Sequence, residues 1–299
     1  MSAAGRPSSQ LLQVSASLRR RKLVNRLVEA TATFAALIAV AVLLIVIGSV
    51  LIKGASAINV NFFIEDPAPA FSHASGGIAN AIVGTCLLVA MASLLALPVG
   101  ILIGIHTAEF ARPSTAAAIR FALDILNGVP TIVTGIFVFG LLVVGHVQSG
   151  YAGAFALAII MLPIVARSAH EVLTLVPNSL KEASLALGIT RWRTVLTIVV
   201  PTAAGGMMTG ALLAIARVAG ETAPLLFTSS IASTFVSTNP SVALASIPVR
   251  IFELSESPSP AEHAQAWAAG LLLIFFILIL NIIARTLYGR SQRRMGASR

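Results

Sequence analysis

The sequence holds one cysteine, Cys86, in 299 residues. No intrachain disulfide and no cysteine-cluster metal site can form from it. Charge is scarce as well. Asp, Glu, Lys and Arg make up 10% of the chain, against about 25% in a typical soluble protein. Acidic residues number 11 against 20 basic ones. There is no G-x-x-x-x-G-K-[ST] phosphate loop. The three lysines, Lys22, Lys53 and Lys181, all lack the Gly-rich lead such a loop needs. The histidines His73, His106, His146, His170 and His263 are scattered, which argues against a metal site or a proton relay. No nucleophile stands with a nearby histidine, which argues against a membrane-embedded hydrolase. A soluble enzyme, a disordered chain and a secreted disulfide scaffold are excluded on composition, and an ATP site carried by this chain is excluded by the missing loop.

What the chain has in excess is apolar surface: 57% hydrophobic residues and a mean hydropathy of +0.93. A soluble interior is too small to hide that much. The apolar runs are long and continuous, whereas an outer-membrane barrel alternates polarity over segments of about 10 residues. The fold class is therefore all-α, a polytopic membrane protein. A crossing needs about 20 mostly apolar residues, and six runs qualify, near 32–52, 78–105, 122–145, 151–170, 202–226 and 267–287.

The net charge of +9 would suit nucleic acid, but the basic residues flank the apolar runs instead of forming one face. Arg6, Arg19, Arg20, Arg21, Lys22 and Arg26 precede the first run. Arg112 and Arg120 lie between the second and third, and Arg167, Lys181, Arg191 and Arg193 surround the stretch between the fourth and fifth. Arg285, Arg290, Arg293, Arg294 and Arg299 follow the sixth. The opposite side has only Lys53 and Arg250. Positive charge collects on the cytoplasmic side, so the pattern predicts six spans with both termini cytoplasmic, in a plasma or inner membrane. The first run is about twice as long as the apolar part of a signal peptide and reads as an uncleaved helix. The expected organisation is a basic segment 1–31, a six-helix domain 32–288 and a basic tail 289–299. Extracytoplasmic loops fall at about 53–77 and 227–266. The stretch SVALASIPVRIFELS in the second loop is apolar but too short and broken to cross. It either packs as a loop or lies against the membrane or a partner.

Residues 176–201, VPNSLKEASLALGITRWRTVLTIVVP, are too polar to cross and too apolar for a solvated linker. Pro177, Asn178 and Ser179 resemble a helix start. Leu180, Ala183, Leu187 and Ile189 fall near one face, Gly188 can close the helix in a left-handed turn, and a second helix from about Thr190 leads into the fifth span. Glu182-Ala183-Ser184, then Gly188, Ile198 and Pro201, are spaced as in the E-A-A-x3-G-x9-I-x-L-P signature, which this segment resembles. That signature marks the binding-protein-dependent ABC importer permeases of MetI-like fold. Ser184 and Val200 are the two departures. The resemblance implies that the segment is a pair of cytoplasmic coupling helices docking on a separate ATP-hydrolysing subunit. ATP and Mg would then be held by that partner, with no cofactor and no catalytic residue in this chain.

Span five carries Arg217 and Glu221, at roughly 2.5–3.5 kcal/mol for each charge inserted. On a helical wheel Gly206, Gly210, Arg217, Gly220, Glu221 and Pro224 fall within an arc of about 100°. Small residues admit a neighbouring helix on that face, so the charges point into the protein. Two readings stay open: a structural i,i+4 pair, or an anion path. In the second, the guanidinium forks to oxyanions, and Glu221 holds it or accepts a proton from hydrogenphosphate. Arg167 and Glu171 form a second i,i+4 pair, either in the path or structural. Asp124 reads as a local acceptor, Pro130 as a kink or a break, and Trp192 and Trp267 as interfacial anchors.

The segments ARVAGETAPLLFT (216–228), LPIVARSAHEVLTLVP (162–177) and NGVPTIVTGIF (127–137) are similar to the PstA family of phosphate importer permeases. With the EAA segment the resemblance covers roughly residues 75–285. It implies phosphate as substrate, a PstC-like homologous permease, two PstB-like ATPases and a PstS-like extracytoplasmic phosphate-binding protein as partners. Permeation of sulfate or molybdate is the alternative within the class, and an ion-coupled secondary transporter the alternative outside it.

Overall fold

In a bilayer, backbone N–H and C=O groups find no water, so long apolar runs must bond internally, as a helix does. The computed structural model describes residues 8–67, 76–230 and 234–296, and every regular element among them is helical. His73 and parts of both expected outer loops lie outside the described residues. So do the first residues of the basic N-terminal segment and the last of the tail. In chain order the helices are α1 (Ser8–Ala55), α2 (Val60–Ile64), α3 (Ala79–Ile105), α4 (Pro113–Gly128), α5 (Thr131–Val138) and α6 (Gly150–Thr174). Then come α7 (Asn178–Ala186), α8 (Arg191–Thr194), α9 (Val200–Val218), α10 (Ala223–Thr228), α11 (Ile247–Ser255) and α12 (Pro260–Gly296). Single π-turns extend α3 at His106–Phe110 and α5 at Phe139–Val143, and a third, Val195–Val199, joins α8 to α9.

The chain divides into two units, Met1–Ile52 and Lys53–Arg299. Among the described residues the first is one stretch of α1. In the second, α3 and α6 share the most extensive contact. Small residues make it possible: a Cβ on Gly104 would lie 2.5 Å from the Ala169 Cβ, and one on Gly100 2.9 Å from Val165. Gly206 and Gly210 of α9 meet Val172 and Ser168 of α6 in the same way, as the glycine spacing predicts. Leu88, Leu157, Met161, Val165, Val218, Leu225 and Leu244 fill the core between these helices. Helix α12 packs on α9 and α11.

Among the described residues five helices are long and apolar enough to cross a membrane, and six crossings result when α4 and α5 count as one. Those two are bent by 93°, so the expected third span 122–145 is interrupted at Pro130, and of the kink and the break the sequence allowed there it is the break that forms. The helix begins earlier, at Pro113, and breaks at Val129–Pro130. Proline lacks an N–H and pushes the preceding residue out of the α region, and Val129 is indeed extended, at φ −68° and ψ 128°. The expected fifth span 202–226 is also corrected. Its helix runs from Arg191 to Val218, so it starts inside the polar segment and ends short of Glu221.

The apolar stretch in the second outer loop is a packed part of the fold. Ser246 caps α11, whose Ile247, Val249 and Leu254 are buried. The Ile247 N–H donates to Thr85 Oγ1 at 2.8 Å. Ser229 Oγ accepts from the Leu244 N–H at 2.8 Å and donates to its carbonyl at 2.9 Å. The Gly150 N–H donates to Val242 O, and that of Tyr151 to Pro240 O. Residues 240–247 are thereby tied to α3, α6 and the end of α10.

Candidate functional site

Helix α9 stops at Val218 because the chain turns: the Gly220 N–H bonds back to Arg217 O and the Glu221 N–H to Val218 O. Pro224 is the second residue of α10, in the first turn, where its missing N–H costs nothing. Gly220, Glu221 and Pro224 therefore leave the helical wheel that grouped them with Arg217. The expected i,i+4 pair within one helix is instead a pair across a helix end. Arg217 Nε stands 4.0 Å from Glu221 Oε1, at the limit of ion pairing, with the arginine side chain 62% exposed and the glutamate 16%.

Arg217 lines a cavity of about 260 Å³ together with Leu126, Asn127, Val129, Thr131, Val133, Thr134 and Phe137 around the α4–α5 break, and Ile159, Ile160 and Ile164 of α6. It is the one charged residue in that wall. The break supplies the concavity. Gly135 lets α5 press against α10, since a Cβ there would lie 2.7 Å from the Pro224 Cα. The guanidinium thus faces a space of apolar groups, hydroxyls and one amide. Such surroundings leave its donors available to an oxyanion.

A second cavity of about 240 Å³ is lined by Arg120, Leu123, Asp124, Arg167, His170, Glu171 and Thr174. Arg167 pairs with Glu171 at 2.9 Å, as its spacing predicts. It also pairs with Asp124 at 2.6 Å, so the reading of Asp124 as a local acceptor is corrected. The carboxylate crosses from α4 to α6, a partnership of residues 43 apart that helical periodicity does not carry.

The segment 176–201 forms the expected helix–turn–helix. Gly188 has φ +77°. The Ile189 N–H donates to Ser184 O and the Gly188 N–H to Leu185 O, which is the complete Schellman closure of α7. Ser184 is buried, with its Oγ 2.8 Å from Thr194 Oγ1. The departure from Ala at this position thus gives a hydroxyl bridge between the two helices. Glu182, Ala183, Leu180 and Leu185 are exposed, and Leu187 is 80% exposed, so the apolar face of α7 has no partner within the described residues. Ile198 is half-buried in the third π-turn and Pro201 is exposed at the start of α9. Pro201 cannot donate to Thr197, and the π-turn just before it absorbs the lost bond. Gly188→Val would force a branched side chain into a left-handed residue at about 1–2 kcal/mol. Amide exchange across 178–194 is expected to rise by about tenfold in this variant, with α6 and α9 unchanged, as hydrogen-exchange mass spectrometry would measure.

Sequence reading missed Glu109. Its side chain is 5% exposed and lies 2.6 Å from Lys181 Nζ, while its backbone carbonyl accepts from Arg191. Among the described residues these bonds join the end of α3 to both halves of the helix–turn–helix. No local signal marks them, because the partners are 72 and 82 residues away.

Residues 96–297 match the family described as "Binding-protein-dependent transport system inner membrane component". The chain is 39% identical to the phosphate transport system permease protein PstA of Pasteurella multocida, over 91% of this chain and 97% of that one. It is 43% identical to PstA of Yersinia pestis, over 82% and 83%. Among solved structures, an inward-facing MetNI methionine ABC transporter matches with TM-score 0.58 at 16% identity, covering 72% of this chain and 97% of that one. A bacterial alginate ABC transporter matches with TM-score 0.61 at 13% identity, covering 92% and 96%. The last two likenesses concern the fold.

Proposed function

Since the chain belongs to the binding-protein-dependent transport system inner membrane components, we propose that it is the permease subunit of an ATP-driven importer of inorganic phosphate. The observation that carries the substrate is the 39% identity, over nearly the whole of both chains, to a permease named for phosphate transport. The charged wall of the α4–α5 cavity supports it, because Arg217 is the one ionic group there and suits an oxyanion.

In this reading a binding protein delivers phosphate to the outer mouth, walled by residues 240–247. One of two ATPase subunits binds the exposed face of α7, and the pair holds the ATP and Mg; this chain performs no covalent chemistry. Their closing and opening moves α7 and α8, and the membrane helices alternate between outward- and inward-facing arrangements. Phosphate passes the cavity at Arg217, where Glu221, 4.0 Å away, holds the guanidinium until substrate competes for it. It leaves by way of Arg167, which Asp124 and Glu171 hold in place. The PstC-like, PstB-like and PstS-like chains are the corresponding partners. The lysine and arginine bias supports a multi-pass inner-membrane protein with both termini cytoplasmic.

Radiolabelled phosphate uptake tests the proposal, in cells lacking this permease and restored with the wild-type chain. Uptake should return, resist excess sulfate and molybdate, and vanish when the partner ATPase is made unable to hydrolyse ATP. Competition by sulfate would reassign the substrate. Uptake that survives loss of hydrolysis would remove the ATP-driven class.

A further inference from the structure

The peptide chain offers the helix–turn–helix 178–194 direct continuity with α6 and α9. It has no covalent link to α3 nearer than α6, yet the end of α3 is where its ionic side chains bind. Glu109 sits in the π-turn that closes α3, and its carboxylate is nearly removed from solvent. A carboxylate so placed is costly unless paired and hydrogen-bonded, and Lys181 of α7 supplies the pair at 2.6 Å. Arg191, the first residue of α8, donates to the backbone carbonyl of the same residue. Its guanidinium also lies 5.7 Å from the centre of the Phe110 ring. Ser184 and Thr194 tie α7 to α8, so the two helices hold the α3 turn as one piece. Lys181–Glu109 is the one ion pair that α7 makes among the described residues. At its other end α3 carries Gly84 and Thr85, which hold residues 245 and 247 of the outer segment. One helix therefore joins the cytoplasmic segment to the outer wall.

We infer that Glu109 is a positioning residue that carries the displacement of helices α7 and α8 into α3, through its carboxylate on Lys181 and its carbonyl on Arg191. The inference rests on the reading that residues 178–194 dock on an ATPase. A carboxylate needed only for folding would change the amount of assembled importer. One needed for transmission changes the phosphate moved per ATP hydrolysed.

The complete importer, with this chain, its partner permease, two ATPase subunits and the binding protein, is reconstituted in proteoliposomes, and phosphate uptake and ATP hydrolysis are measured on the same vesicles. Glu109→Gln is expected to leave the ATPase co-purifying and hydrolysing, with phosphate per ATP falling about tenfold. Lys181→Met should fall equally, the double variant no further than either single one, and Lys181→Arg should recover most of the ratio. Lys181 is partly exposed, so Lys181→Met and Lys181→Arg decide the matter where Glu109→Gln fails to accumulate. An unchanged ratio in an assembled Lys181→Met importer overturns the inference, as does loss of co-purification with the ratio intact in what remains. If the ATPase fails to co-purify with the wild-type chain, the docking reading itself falls.

Discussion

Arg217→Gln is expected to abolish phosphate uptake, by about a hundredfold, while the amount of chain in the membrane stays at the wild-type level. The two halves of this expectation have separate grounds. A hydrogen bond to a charged group contributes about 1.5–3 kcal/mol, and the fork of a guanidinium makes more than one. If phosphate passes the cavity at Arg217 as proposed, losing those bonds raises the barrier by about 3 kcal/mol, or roughly a hundredfold in rate. Stability is a different matter. Arg217 has one ion-pair partner among the described residues, Glu221 at 4.0 Å, and its side chain is largely exposed to the cavity. A charge paired only at 4.0 Å is a burden on insertion at membrane depth, so a neutral amide of similar shape is expected to leave the helix folded. Arg217→Lys separates charge from fork, and partial uptake is its expected result. Uptake by Arg217→Gln at the wild-type rate would remove Arg217 from the path. Membrane immunoblots alongside radiolabelled uptake check both halves.

The second large effect falls on stability. Gly84→Val is expected to destabilise the chain by about 3 kcal/mol or more, at the upper end of what overpacking costs. A Cβ at Gly84 would lie 2.0 Å from the Ala245 carbonyl oxygen. That atom is backbone, which cannot rotate aside as a side chain would. The segment that carries it cannot retreat easily either. Its neighbours Leu244 and Ile247 are bonded to Ser229 and Thr85, and Val242 accepts from Gly150. The substitution must break several of these bonds or push α3 from α6. Thermal unfolding of the purified chain in detergent should report a lowered midpoint, and Gly84→Ala a smaller fall in the same direction. Equal midpoints for wild type and Gly84→Val would mean that the outer segment does not rest on α3.

How far the sequence leads depends on the range of the interaction. The helix–turn–helix 178–194 was legible almost to the residue, because Gly188, Thr190 and the Pro177 start act through neighbours within one turn. The apolar runs gave the crossings for the same reason. The wheel drawn through span five failed at Val218 because periodicity has no means of marking where a helix stops. The stop came from Gly220 and from Pro224, which the wheel treated as two more points on the arc. At Pro130 the sequence offered a kink or a break with equal right. The break and its 93° bend were chosen by α5 packing on α10, which is tertiary. Asp124 with Arg167, and Glu109 with Lys181, were closed to sequence reading altogether. Each pair joins residues 43 or more apart, and nothing in the local pattern distinguishes these carboxylates from solvated ones.

The helix from Arg191 to Val218 spans 28 residues without a break in direction sharp enough to divide it. It is held against α6 near its middle by Gly206 and Gly210. The glycine contact brings its backbone near enough to a neighbour to act as a pivot. From Arg191 to that fulcrum is about 26 Å of helix, and from the fulcrum to Arg217 about 14 Å. A tilt about the glycine contact therefore swings the two ends in opposite senses. On this geometry the guanidinium would travel about half as far as the Arg191 end, so a displacement applied at Arg191 would reach the cavity reversed and reduced.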